Sequence, residues 1–90
     1  METLLDKAIS DFSVDTNVFK VLIYLSFKGS SSPSQISGET GISSGTVRPA
    51  LRTLLSKGYV FQLEDGTYKS KIPFIDIISD LYQRNLNKKA

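Results

Sequence analysis

The chain opens with apolar residues spaced three or four positions apart, as on the buried face of an amphipathic helix. They occur in the stretch TLLDKAISDF. We therefore predict an N-terminal helix within residues 1–13. Its apolar stripe consists of Leu4, Leu5, Ala8, Ile9 and Phe12.

A second helix is predicted over residues 16–28, where the apolar residues leave almost no polar face. Asp15 or Thr16 can cap its N-terminus, and Gly29 can end it. A helix that is apolar nearly all round must be covered on several sides, so we expect this one at the centre of the core. Its apolar residues are Val18, Phe19, Val21, Leu22, Ile23, Leu25 and Phe27.

Residues 33–57 predict two short helices joined by a tight turn. Ser32 followed by Pro33 fits an N-cap and a first helical residue, and Gly41 ends the first helix. The second helix occupies residues 44–57. Two short helices connected in this way form a helix-turn-helix.

Pro49 lies inside the second of these helices, where a proline normally costs about 3 kcal/mol. On a helical wheel Pro49 and Gly45 face outward. The opposite, core-facing side consists of Val47, Ala50, Leu51 and Leu54. Two interpretations stay open. Either the missing amide lies on the solvent side, or the helix begins late, with Thr46 as its cap and Pro49 in its first turn.

After Gly58 the apolar residues alternate with period two, which predicts a β-hairpin over residues 59–72. Asp65-Gly66 fits the two-residue loop of a type I′ turn, so Leu63 is predicted to lie opposite Tyr68. In this register the apolar face consists of Tyr59, Phe61, Leu63, Tyr68 and Ile72. The other face, apart from Val60, consists of Gln62, Glu64, Thr67, Lys69 and Lys71.

A last helix is predicted over residues 73–87, and its apolar stripe is broader than one helix of a small domain needs. We therefore predict that a second copy of the chain covers it. The expected dimer interface consists of Leu4, Leu5 and Ile9 from the first helix and Phe74, Ile75, Ile78, Leu81 and Tyr82 from the last. Ile77 and Leu86 widen the stripe. The alternative is a monomer, in which the last helix folds back onto the first two.

Composition narrows the chemistry that the chain can perform. Its 90 residues are enough for one domain, here taken as residues 1–90. Cysteine and histidine are both absent, which removes disulfides, thiolate metal sites, the commonest metal ligand and the usual general base. No clustered carboxylates or Ser-Lys pair suggest a catalytic site, so we expect no enzyme, cofactor or metal. With no membrane span and no signal peptide in the sequence, we expect a cytoplasmic protein.

The charge is distributed unevenly along the chain. The net charge is only +2, but residues 1–15 carry a net charge of −3 and residues 42–72 carry +3. The basic segment contains the helix-turn-helix and the hairpin. This distribution is that of a surface for a polyanion, although it also fits solvated helix and strand faces.

The predicted order of elements is that of a winged helix-turn-helix domain, an α+β and mostly helical fold with a three-helix core and a two-stranded wing hairpin. Residues 42–60, ISSGTVRPALRTLLSKGYV, resemble the recognition-helix signature of the PadR family of transcription regulators. Arg48 stands where that family usually has a tyrosine. Residues 16–72 are more distantly similar to MarR-like and TrmB-like domains.

The resemblance implies sequence-specific binding of double-stranded DNA, with the helix at 44–57 in the major groove. It implies a homodimeric transcription regulator, a repressor by default, on a palindromic operator in the nucleoid. The residues expected to contact DNA are Ser34, Gln35, Ser43, Ser44, Thr46, Arg48, Arg52, Lys69 and Lys71. The alternative is a winged-helix adaptor that binds proteins of the transcription, replication or plasmid partition machinery.

Overall fold

The computed structural model describes residues 3–89, with the side chains of residues 3–84. Leu86 of the predicted stripe lies outside the described side chains. The described elements, in order, are α1 (Leu4–Asp11), α2 (Asn17–Lys28), α3 (Pro33–Thr40), α4 (Ser44–Ser56), β1 (Val60–Gln62), β2 (Tyr68–Ser70) and α5 (Phe74–Lys89). Across these residues the five helices and the antiparallel hairpin confirm the predicted winged helix-turn-helix fold.

Side-chain caps explain why the first three helices begin where they do. Thr3 and Asp6 form a reciprocal capping box at α1, and Ser32 and Gln35 form another at α3. Of the two caps considered for α2, Thr16 is the one used, and its hydroxyl accepts the amide of Phe19 at 3.3 Å.

The core surrounds α2, as its sequence predicts. Val21, Leu22 and Leu25 are almost completely buried, and α4 and β2 pack against this helix. Phe27 is the exception, because it lies near the C-terminus of α2 and is exposed. Its ring meets that of Phe74 edge to face, with a centroid distance of 5.1 Å.

The hairpin is attached to the helices by specific hydrogen bonds. Ser26 Oγ on α2 donates to Ser70 Oγ at 2.6 Å. Ser31, just before α3, exchanges two backbone hydrogen bonds with Tyr68, at 2.9 and 3.0 Å. At the other end of the domain, Tyr59 Oη donates to Asp11 Oδ2 at 2.6 Å and so ties α1 to the base of the hairpin.

The predicted hairpin register is wrong by one residue. Val60 pairs with Ser70 and Gln62 pairs with Tyr68, so the loop has three residues instead of two. Leu63 N donates to the Thr67 carbonyl at 2.8 Å across this loop. Gly66 adopts a left-handed φ of +86°, as the bulge position of a three-residue loop requires.

This register also inverts the predicted faces of β1. Val60 is buried, whereas Phe61 and Leu63 are 47% and 38% exposed. The inward pair is Val60 with Ser70, because Ser70 must face α2 to accept the hydrogen bond from Ser26. Phe61 instead lies under the ammonium of Lys71, whose Nζ is 5.1 Å from the ring centroid.

The last helix packs on the chain's own core along one edge only. Ile77 is 7% exposed and Phe74 is half-buried, whereas the other described residues of the stripe face solvent. Those exposed residues are Ile75, Ile78, Leu81 and Tyr82. Leu5 of the predicted interface packs in the chain's own core and is 4% exposed, so it does not belong to the surface available to a partner.

Candidate nucleic-acid interface

The recognition helix α4 begins at Ser44 with Ser43 as its N-cap residue, and no side chain caps its first amides. The Ser43 carbonyl accepts from the amides of Thr46 and Val47, both at 2.9 Å. Its hydroxyl turns instead to Thr46 Oγ1, at 3.1 Å. The amides of Ser44 and Gly45 are thus left for a ligand or water, and they carry the positive end of the helix dipole.

Pro49 lies in the second turn of α4, so the interpretation with Thr46 as a late cap is wrong. Pro49 is exposed, and the carbonyl of Gly45 loses its usual helical donor on that side. Gly45 is exposed as well, and a Cβ built there meets nothing within 4 Å. The fold therefore does not require glycine at position 45. Glycine at position 45 would be required if another molecule approached the backbone closely there.

The two faces of α4 match the helical wheel. The buried face consists of Val47, Ala50, Leu51 and Leu54. Arg48 and Arg52 lie one turn apart and are exposed. Neither arginine forms an ion pair within the described residues.

Both arginines line a cleft between α4, the start of α3 and the hairpin. The other lining residues are Pro33, Leu51 and Tyr68, and the cleft has a volume of about 180 Å³. We call it the arginine cleft. Tyr68 was predicted as part of an apolar strand face, and its place in the lining of this cleft was missed. The strand pattern alone could not have placed Tyr68 in the cleft, because the cleft also depends on the position of α4.

Residues 14–60 match the model of a family of winged helix-turn-helix DNA-binding domains, and this match covers just over half of the chain. The chain belongs to that family. Comparison with curated proteins and with solved structures finds no match. In a winged helix-turn-helix DNA-binding domain, α4 is the helix that enters the major groove, and the arginine cleft lies on its exposed side.

The other predicted contact residues of this winged helix-turn-helix domain are less closely grouped. Ser43 and Ser44 are exposed at the start of α4, and Thr46 is half-buried. Ser34 and Gln35 are exposed at the start of α3, but the Gln35 side-chain oxygen is engaged by the Ser32 amide at 3.3 Å.

Lys69 and Lys71 are exposed on β2 and just beyond it. Successive strand residues point to opposite faces. Since Tyr68 lines the arginine cleft, the two lysines project from the other side of the hairpin. The structure therefore brings the arginines together with Tyr68 but does not bring the lysines to them.

The tip of the wing is acidic and stays charged near neutral pH. Asp65 accepts hydrogen bonds from the Thr67 hydroxyl at 2.6 Å and the Thr67 amide at 3.0 Å, and these lower the pKa of its carboxyl group. A negative tip repels phosphates, so the tip of the wing is a poor contact for a DNA backbone.

Two further findings concern chemistry away from the cleft. The described residues hold no group of three or more acidic, histidine or cysteine side chains that could bind a metal ion. None of the helices in the described part of the chain has both the length and the apolar character needed to span a bilayer.

Proposed function

We propose that this protein is a homodimeric, sequence-specific DNA-binding transcription regulator of PadR-like type, a repressor by default. The observation that carries the proposal is the pair Arg48 and Arg52. Both side chains are exposed on the recognition helix, and no described carboxylate neutralises them. Unpaired guanidinium groups on a DNA-binding fold are suited to guanine edges and to phosphates.

In this proposal the N-terminal half of α4 enters the major groove, and the two arginines contact bases or backbone. Ser43, Ser44 and Thr46 offer hydroxyls and helix-terminal amides to a phosphate. Ser34 and Gln35 flank the groove, whereas Lys69 and Lys71 reach the neighbouring backbone from the hairpin. As a DNA-binding regulator, the protein acts in the cytoplasm at the nucleoid.

The dimer of the proposal forms through α5 and α1. Ile75, Ile78 and Tyr82 are 65%, 44% and 61% exposed, and they form one apolar surface on α5 with Leu81. Next to it, an apolar groove runs between α1, α2 and α5 and includes Ile9, Val14 and Ile23. Contiguous exposed apolar surface on a small domain marks an interaction site.

A second copy suits this surface because two-fold symmetry sets the two recognition helices for half-sites one DNA turn apart. That separation is about 34–36 Å and corresponds to a palindromic operator. In this proposal Leu4 and Ile9 on α1 complete the interface; Ile9 lines the groove, and both residues are half-buried in a single chain.

Binding to a random-sequence duplex across a series of salt concentrations tests the DNA proposal. If each half of the dimer neutralises three to four phosphates, log K falls against log salt with a slope of about −5 to −7. Selection of bound sites from a random library then gives the operator. Absent binding in low salt, or binding that is independent of salt, would reject the proposal.

A winged-helix adaptor is the second candidate, and the hairpin favours it. Phe61 and Leu63 are exposed beside Glu64 and Asp65, which gives the wing an apolar and acidic surface. Such a surface fits a basic, partly apolar protein better than a DNA backbone. The adaptor would be supported if a variant with both Phe61→Ser and Leu63→Ser lost its function while it still bound DNA normally.

A further inference from the structure

The arginine cleft has a third polar wall, which is the side chain of Tyr68. Its backbone is fixed on both sides, because Tyr68 pairs with Gln62 in the hairpin and with Ser31 before α3. The Tyr68 amide donates to the Ser31 carbonyl at 2.9 Å, and the Ser31 amide donates back at 3.0 Å. Tyr68 is therefore held beside α4 by the sheet and not by a loop.

All three polar side chains at the cleft have unused hydrogen-bond donors. Arg48 and Arg52 make no ion pair with any described residue, and the Tyr68 hydroxyl makes no hydrogen bond with one. No carboxylate lines the cleft, whose remaining walls are Pro33 and Leu51. The polar side chains of the cleft thus offer hydrogen-bond donors and positive charge without a carboxylate, and the group that matches them is an anion.

The size of the cleft points to a small anion. Its volume of about 180 Å³ lies below the range of about 300–1,000 Å³ that is typical of pockets for small organic molecules. Guanidinium groups bind phosphate through two parallel hydrogen bonds, and a phenol hydroxyl can donate a third. The cleft also opens on the exposed face of the recognition helix, where a DNA backbone passes in this fold.

We propose that the arginine cleft holds one phosphate of the DNA backbone, shared by Arg48 and Arg52, with the Tyr68 hydroxyl as a neutral donor. This inference rests on the proposed function. It assigns both arginines to the backbone, so they fix the register of the protein on the duplex and do not read bases. It also adds Tyr68 to the interface.

Charged and neutral donors differ in their response to salt. An arginine that alone neutralises a phosphate is present in both subunits of the dimer, so its loss makes the salt slope shallower by about two. Two arginines on the same phosphate neutralise it once in each subunit, and their joint loss also changes the slope by about two instead of about four. Tyr68→Phe removes a donor without charge, so it weakens binding and leaves the slope unchanged.

The experiment measures fluorescence anisotropy of two labelled duplexes of equal length, one selected from a random library and one of random sequence. The variants are Arg48→Ala, Arg52→Ala, the double arginine variant, Tyr68→Phe, and Tyr68→Phe combined with the double arginine variant. Lys20→Ala is the control, because Lys20 is exposed on α2 away from the cleft. Thermal unfolding of each variant verifies its fold.

We expect each single variant to lose about 3–10-fold in affinity, equally on both duplexes. Tyr68→Phe should have no further effect in the double arginine background, because the phosphate is no longer held there. Lys20→Ala should bind like the unmodified protein.

Three results would overturn the inference while the proposed function stands. Arginine variants that lose affinity on the selected duplex alone would show base reading. A slope change of about four in the double variant would show two separate phosphates in each subunit. Wild-type affinity of Tyr68→Phe on both duplexes would remove Tyr68 from the interface. Failure of the unmodified protein to bind either duplex would reject the proposed function itself.

Discussion

The exposed faces of α4 and α5 differ in the kind of side chain that has no partner within the described chain. On α4 the charges of Arg48 and Arg52 are unpaired, and most of the apolar residues are buried, with Leu55 as the exception. On α5 the reverse is found, because a charged pair forms an ion pair and several apolar side chains are exposed. Arg84 Nε lies 2.6 Å from Asp80 Oδ2, which raises the pKa of the arginine, while Ile78 and Tyr82 remain exposed.

This difference separates two kinds of partner. Unpaired positive charge is stable in water and gains most from a polyanion, because counterions are released when the two meet. Unpaired apolar surface gains most from removal from water, which another apolar surface provides. We therefore assign the first face to DNA and the second to another copy of the chain, and the predictions below test this division.

The largest expected effect is the loss of the dimer in an Ile78→Glu, Tyr82→Glu variant. Each change buries an unpaired carboxylate at the proposed seam, at a cost of several kcal/mol per charge. The dissociation constant of the dimer should rise by at least about a thousandfold, and tight operator binding should be lost with the dimer. Sedimentation at micromolar concentration measures the mass.

Gln83→Glu is the matched control for this variant, because Gln83 is exposed on α5 outside the apolar surface. It should leave the dimer intact. A monomeric mass for the unmodified protein would contradict the assignment of the α5 face, whatever the variants do.

The next effect concerns the glycine on the DNA face. Gly45→Leu places a side chain where nothing lies within 4 Å, so folding should be unharmed, or stabilised by roughly 0.5–1 kcal/mol. If DNA approaches the backbone there, the leucine should weaken binding by about 1–3 kcal/mol through steric overlap. Anisotropy and thermal unfolding report the two effects separately.

Gly38→Leu provides the comparison, since Gly38 is an exposed helical glycine of α3 with equally open space around it. It should stabilise the protein to a similar extent without loss of DNA affinity. Equal affinity of the two variants would mean that DNA does not approach Gly45 closely.

The helices and both faces of α4 could be predicted from the sequence because their signals are local. Ser32-Pro33, Gly29 and Gly41 mark helix ends wherever the rest of the chain lies. The exposure of Arg48 and Arg52 follows from the helical period alone.

The hairpin register could not be predicted because two registers give plausible faces. The two-residue loop places Phe61 on the apolar face, whereas in the native register Ser70 faces α2 and accepts the hydrogen bond from Ser26. That contact joins residues 44 positions apart. The place of Tyr68 in the cleft depends on the hairpin register, and the burial of Leu5 depends on the packing of α1 against the core, so neither could be seen locally.

A smaller effect is expected where the hairpin joins the core. Ser70→Ala removes the acceptor of the Ser26 hydroxyl and the cap of the Ile72 amide, at 2.6 and 3.0 Å. Loss of these bonds at a buried site should lower the free energy of unfolding by about 1–3 kcal/mol. Urea denaturation measures it, and Ser30→Ala, at an exposed position, should change stability by less than about 0.5 kcal/mol.

The smallest effect lies at the wing tip, where Asp65 opposes the polyanion assigned to the α4 face. Hydrogen bonds from Thr67 lower the pKa of Asp65 in the folded protein, so its contribution to stability is present above the unfolded pKa. It is lost as the pH falls through the folded pKa, below the ordinary value of 3.8.

Thr67→Ala removes the hydroxyl donor and should move the pKa of Asp65 back toward that value. Carboxyl NMR titration of both proteins measures the shift. An unchanged pKa in Thr67→Ala would show that the hydroxyl does not hold Asp65 in its charged form, and an Asp65 titration near pH 7 would make the repulsion at the wing tip depend on pH.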